Sequence, residues 1–203
     1  MREPSRSIYD NFLLHSGVQG NPNMSFTHEI SDLIASGREG KYWDFKEQYH
    51  DNKAALLHDI ICLANSLHKG SKYLIFGVTD PYKGCQIVGI QANRKYSQSN
   101  LIDFIRSMKF AGDVRPEIEL RTIELQEQEI DVLIVFDRPE KPYYLREDYK
   151  DKGKIVRASY IYTRNLDTNI AIDQSADLRI IELMWRERFG LDVQPAERMV
   201  TLL

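Results

Sequence analysis

Between residues 25 and 67 the spacing of apolar positions changes twice, and the changes mark out three elements. Ile30, Leu33 and Ile34 stand at i, i+3 and i+4, which is one stripe of a helix. Ser25 or Thr27 is placed to cap that helix, Glu29 falls in its first turn, and Gly37 suits a left-handed stop. Over 41–46 the pattern alternates as a strand does. Trp43 and Phe45 take one face and Asp44 and Lys46 the other. From about 52 to 67, Leu56, Leu57, Ile60, Ile61, Ala64 and Leu67 make the broad apolar face of a second helix.

Residues 73–78 are an almost unbroken apolar run, the signature of a strand buried on both faces. A loop over 79–84 leads to a short strand at 87–90, and the two strands are expected to form a hairpin. Ser97 or Ser99 starts a third helix with Leu101, Ile102, Ile105 and Met108 inward. Residues 117–125 and 130–136 read as strands, and 155–163 as another, rich in β-branched and aromatic side chains. Asp173 or Ser175 caps a last long helix with Ile181, Met184 and Trp185 on its apolar face. Gly190 ends that helix, and Pro195 opens a short terminal one. The expected order is α-β-α-β-β-α-β-β-β-α. The fold class is α/β (α+β), a mixed sheet flanked by helices rather than a regular βαβ repeat. Residues 1–24 read as an N-terminal arm, 25–190 as one domain and 191–203 as a tail or short helix.

Composition narrows the picture. With 203 residues, 42% hydrophobic and 28% charged, the chain has enough apolar material for one core without disulfides. Cys62 and Cys85 belong to no CxxC pair, which argues against a zinc site and requires no oxidising compartment. No apolar stretch resembles a signal peptide or a membrane span, so a cytoplasmic protein is expected. The net charge is −3, so any nucleic acid has to be held by a local basic patch rather than by a field of the whole protein.

Several chemistries are missing. There is no GxxxxGK[ST] loop, no GxGxxG after a strand, no GxSxG elbow and no HExxH, and no nucleotide cofactor is expected. His15, His28, His50, His58 and His68 show no metal-ligand spacing, and His58 reads as a structural histidine beside an apolar helix face. The informative residues are acidic. Glu39 follows the first helix, Asp44 lies in the next strand, and Asp80 follows the buried strand. If these segments converge at one sheet edge, the three carboxylates make an oxygen-ligand site for Mg²⁺ or Mn²⁺, which activates water and stabilises charge on a phosphate. Lys46 shares a strand face with Asp44, in position to orient water or neutralise phosphate. The alternative reading is ordinary surface acids, with Asp80 before Pro81 serving a turn and Glu39 solvating a loop.

Three ordered segments carry a family resemblance. Glu39-x4-Asp44-Phe45-Lys46, then 59–66 (Asp-Ile-Ile-Cys-Leu-Ala-Asn-Ser), then 74–80 (Leu-Ile-Phe-Gly-Val-Thr-Asp) resemble the AlbA_2 domain of Schlafen proteins. Later stretches at 141–145, 160–164 and 184–190 are similar to its later elements. Asp44 stands where the family usually has Glu. Residues 66–70 replace a Thr-x-Gly-Gly turn, and 164–167 replace Arg-x-Gly-Ser. The resemblance implies a mixed α/β nucleic-acid-binding domain. It also implies, from eukaryotic relatives, a metal-dependent ribonuclease site for structured RNA such as transfer RNA. Glu39, Asp44 and Asp80 fall on its three acids. Those relatives join two lobes in one chain, so a homodimer is expected here.

The expected phosphate and base contacts are Lys41, Lys69, Lys72, Arg157, Tyr160 and Arg164, set against the plainer reading of solvated lysines and arginines. Three functions stand side by side: an RNA- or DNA-binding module, regulatory or defensive; a Mg²⁺/Mn²⁺-dependent endoribonuclease using Glu39, Asp44, Lys46 and Asp80; and a protein-interaction domain with no nucleic-acid role.

Overall fold

The computed structural model describes residues 22–192, so most of the expected arm and tail lies outside the described residues. Four strands form the main sheet: β1 (Trp43–Lys46), β2 (Lys72–Phe76), β3 (Ile118–Leu125) and β4 (Gln128–Val135). Their order is β1-β2-β4-β3. β1 runs parallel to β2, with Asp44 opposite Leu74 and Lys46 opposite Phe76. The β2–β4 and β3–β4 pairs are antiparallel. Parallel neighbours need a crossover, and α2 (Lys53–Ala64) supplies it.

Alternation in β2 explains its apolar run. Leu74 and Phe76 face a core built with α2 and with α3 (Gln98–Ser107). Tyr73 and Ile75 face a second core built with α1 (Pro22–Ala35), which contributes Phe26, Ile30, Leu33 and Ile34. Both faces are covered, so neither set of side chains needs to be polar. Every residue of α2 from Ala54 to Ala64 is buried, including His58 and Asp59. A helix apolar nearly all round belongs inside a fold, and the one charged residue buried in it calls for partners.

Several boundaries differ from expectation. α1 starts at Pro22, whose fixed φ suits a first helical turn, so Ser25 and Thr27 lie inside it. Ser97 caps α3 in a capping box with Asn100. The last helix, α4 (Leu178–Arg188), is capped by Asp177 rather than Asp173 or Ser175, because the Ser175 hydroxyl accepts the Ile161 N–H instead. β3 and β4 are joined through Gln126 and Glu127, both at positive φ (52° and 61°), the backbone of a tight hairpin turn. At 87–90 only a single antiparallel bridge, Val78 to Ile87, takes the place of a strand.

The strand expected over 155–163 is the main correction. β5 (Tyr149–Asp151) pairs with β6 (Lys154–Val156), and β7 (Arg164–Asn165) pairs with β8 (Thr168–Asn169). Between them the chain is irregular, because a side chain does the work of a neighbouring strand. The buried Asn65 amide donates to the carbonyls of Tyr143 and Tyr162 and accepts the Tyr143 N–H. No described helix is long and apolar enough to cross a membrane.

Candidate functional site

β1 has one strand neighbour, and its free edge is closed by side chains rather than by a fifth strand. Glu39 Oε1 accepts the Phe45 N–H at 3.0 Å. Arg164, from β7, donates through Nη2 to the Trp43 carbonyl at 3.1 Å and through Nε to the Gly40 carbonyl at 2.8 Å. Nη1 reaches Asn169 Oδ1 at 2.8 Å. The same guanidinium lies 3.5 Å from Asp44 Oδ1 and 3.7 Å from Glu39 Oε2, and its side chain is 1% exposed. Gly40 is required here because a Cβ would meet the Trp43 ring at 2.2 Å.

Alternation in β1 puts Lys46 beside Asp44, with Nζ 2.6 Å from Asp44 Oδ2 and 3.6 Å from Asp59 Oδ2. Asp59, the buried acid of α2, accepts from Asn169 Nδ2 at 2.9 Å and pairs with His50 Nε2 at 2.8 Å. Its burial favours the neutral acid. Hydrogen bonds from His50 and His58 and the charge of Lys46 outweigh that and hold its pKa well below the usual carboxylate range. Burial likewise works against the Lys46 ammonium, and Asp59 and Asp44 overcome it, raising its pKa. Glu39 goes the other way. Burial first, then the charge of Asp44, pushes its pKa from 4.5 up to about 7, despite the Phe45 N–H and Lys46 pulling it down.

Of the four residues expected to be catalytic, Glu39, Asp44 and Lys46 therefore come together. Asp80 is engaged elsewhere. Its carboxylate caps the single 3-10 turn Pro81–Lys83 by accepting the Lys83 N–H at 3.0 Å, the turn role that Asp-Pro suggests. Cys85 lies within electrostatic reach of both groups of acids. Its thiol is pushed up by burial, then by Glu39 and Asp80.

The family's implied divalent metal can be tested against these donors. Among the described residues, no three His, Cys, Asp or Glu side chains form a group that would hold a metal ion. The oxygens of Asp44 already face Lys46 and Arg164, and those of Glu39 face a backbone N–H and Arg164. Two built-in cations occupy the surroundings that a hard dication needs. In this arrangement the set Glu39, Asp44 and Asp80 does not fit a metal centre.

Beside the cluster runs a trough with a volume of about 830 Å³. Lys41, His68 and Lys69 line it on one side, Thr163 to Ile170 on another, with Ile180 of α4. A smaller hollow of about 350 Å³ shares Lys41, His68, Leu166 and Asp167 with it and reaches Glu39 and Trp43. Tyr42 and His68 stack with centroids 4.1 Å apart at this rim. Burial, then the charge of Lys72, lowers the His68 pKa, so its ring is a neutral platform near neutral pH.

The expected phosphate contacts divide. Lys41 is exposed at the trough. Lys69 is 68% exposed and pairs with Glu187. Arg157 is exposed away from the trough, its guanidinium 6.0 Å from the ring of Tyr160. Lys72 and Arg164 are corrections. The Lys72 side chain is 0% exposed and held 2.6 Å from Asp137, and Arg164 is locked under the cluster, so neither reaches a ligand from the surface. Sequence reasoning missed Asp59, His50 and Asn169. The available signal was Asp59 itself, an acid inside the apolar stretch of a helix.

Comparison with known proteins places this geometry. No curated protein matches the chain. The DIP2311 protein of Corynebacterium diphtheriae is similar in structure, with 17% identity and a TM-score of 0.45 over 77% of this chain and 30% of that one, so the chain spans under a third of its length. The N-terminal domain of a protein from Nitrosomonas europaea, described as ATP-dependent DNA helicase RecG-related, is similar with 21% identity and a TM-score of 0.43, over 75% of this chain and 93% of that one. The family described as Schlafen, AlbA_2 matches residues 39–173, a stretch that holds the four-stranded sheet and the whole charge cluster from Glu39 to Asn169. The chain belongs to the Schlafen AlbA_2 family.

Proposed function

We propose that this chain is a nucleic-acid-binding domain that grips the phosphate backbone along the trough, with the buried cluster as its rigid floor. The observation that carries this reading is the trough's lining. Lys41 and Lys69 stand at its wall. Asp167 and Asp177 also line it, Thr168 and Asn169 donate to the carboxylates of Asp167 and Asp59, and the donors left for a ligand are Lys41, Lys69 and the Asn165 amide. Such donors fix a backbone without reading sequence. The stacked Tyr42–His68 pair adds an aromatic surface for an unpaired base. The cluster orders this wall, because Arg164 and Asn169 belong to the β7–β8 hairpin that forms it.

With Lys46 and Arg164 already facing the acids, binding proceeds without a divalent ion, and cleavage is not part of this reading. The test is anisotropy titration of transfer RNA and single-stranded DNA over a range of salt, with Mn²⁺ and with chelator. Affinity is expected to fall as salt rises, and the double substitution Lys41→Glu, Lys69→Glu to reduce the salt slope by about two. Binding that ignores both salt and the substitutions would sink the proposal. Cleavage that needs Mn²⁺ and disappears in Asp44→Asn would replace it with the ribonuclease reading.

A further inference from the structure

A second groove lies at the other end of α2. The trough meets the chain just past the C-terminus of α2, at Ser66 and Leu67, whereas Lys53, the first residue of α2, lines the second groove. A 12-residue helix separates the two ends by about 18 Å. The two linings have no residue in common. The second groove has a volume of about 780 Å³, and its walls combine aromatic rings with three cations, Lys53, Arg94 and Lys95, and two acids, Asp51 and Asp103.

Tyr96, Phe104 and Tyr149 are each half-buried there, with ring surface still open. They are braced from behind. Tyr96 meets the buried Tyr49 edge-on at 4.9 Å, and Phe104 meets Tyr149 at 5.7 Å. Tyr49 is itself fixed by stacking on Phe76 of β2 at 4.0 Å and by donating its hydroxyl to Asp131 at 2.8 Å. The rings are thus tied to the sheet, and ordering them on binding costs little entropy. Lys53 is exposed, its ammonium 5.8 Å from the Phe104 ring. Arg94 stands 3.5 Å from Asp51, and Lys95 pairs with Glu129 at 3.0 Å, so Lys53 is the cation of this groove with no acid within ion-pair distance among the described residues.

We infer that this groove is a separate site for an unpaired nucleotide, the base stacking on Tyr96 and the Phe104–Tyr149 pair while Lys53 takes the phosphate. Ring faces accept any base, and one free ammonium matches one phosphate, which is how single strands are held without sequence choice. A duplex keeps its bases stacked inside and offers nothing to the rings. The inference rests on the nucleic-acid reading and extends it: the trough holds backbone with one stacking surface at its rim, and this groove adds a second, stronger preference for single strands.

The experiment uses the full chain, a labelled single-stranded oligonucleotide and the matching duplex. Tyr96→Ala is expected to weaken single-strand binding about tenfold while duplex affinity stays within about twofold, and Tyr96→Phe to restore it. Tyr96 packs against the core, so the exposed Lys53→Glu serves as a second variant, with the same selective loss expected. Titration with a mononucleotide should shift the NMR signals of the Tyr96 and Tyr149 rings. If the wild type binds single strands and both variants bind them equally well, this inference fails and the trough reading stands. If the wild type binds neither nucleic acid, both fail.

Discussion

Two of the places where the molecule buries charge are solved differently. Under the trough, three carboxylates (Glu39, Asp44 and Asp59) share two permanent cations, Lys46 and Arg164. Against α4, Lys72 and Lys141, both 0% exposed, face Asp137 and Glu187. The second set is balanced. Burial would raise Asp137, but hydrogen bonds from Lys141 and Lys72 win and take it from 3.8 to about 2. The first set is short of positive charge, and burial, then the charge of Asp44, makes Glu39 hold its proton up to about 7. A balanced buried set needs no further partner, whereas an unbalanced one beside a cavity is what marks a candidate site.

The largest effect should come from breaking the first set at its cation. Arg164→Ala takes one of the two cations from Glu39 and Asp44, removes the side-chain donor of the Gly40 and Asp167 carbonyls, and leaves the Trp43 carbonyl with the Gly40 N–H alone. A loss of about 5 kcal/mol in denaturant unfolding is expected, the top of the range for a broken buried pair. Asp137→Ala should cost about 3 kcal/mol by the same measurement. Glu187 still stands 3.2 Å from Lys141 in that variant, so one of the two buried amines keeps a partner. If Arg164→Ala proves the milder of the two, the contrast between the two sets is wrong.

The next test uses pH. Glu39 binds its proton more tightly folded than unfolded, so between 4.5 and about 7 the native state holds more protons, and stability falls as pH rises through that window. Asp137 has the opposite sign. Its contribution is complete above 3.8 and is lost as pH falls toward about 2. Unfolding free energies across both windows should show the first slope flattened in Glu39→Gln and the second in Asp137→Asn. Equal slopes in wild type and both variants would erase the distinction.

The smallest expected effect on stability sharpens the functional side. Lys69 pairs with Glu187 but is 68% exposed, and such pairs contribute less than about 1 kcal/mol. Lys69→Ala should leave the melting curve nearly unchanged while reducing the salt slope of nucleic-acid binding by about one.

What the sequence disclosed follows from the range of the forces involved. The helix stripe of Ile30, Leu33 and Ile34 and the run over 73–78 are local periodicities, and both elements are present. Period-two alternation also correctly grouped Asp44 with Lys46. The 155–163 stretch has strand composition, yet its backbone groups go to scattered partners, the Tyr162 carbonyl to Asn65 97 residues away and the Ile161 N–H to Ser175, which no local pattern reports. Lys72 reads as a phosphate contact in the sequence because its partner Asp137 is 65 positions distant. The same distance hid Asn169 from Asp59, 110 positions apart. Asp80 was legible both as a ligand and as a turn cap, and the neighbouring proline favours the cap the structure shows.

Asn65 acts as a length gauge. Its amide grips the chain at Tyr143 and Tyr162, its backbone carbonyl accepts the Thr163 hydroxyl, and Arg164 follows one residue later. A single residue inserted between 162 and 164 would carry the guanidinium off its seat while leaving every local preference intact. The same insertion at the exposed 126–127 turn of the β3–β4 hairpin would disturb far less. Tolerance to changes in chain length is therefore set here by distance from one amide.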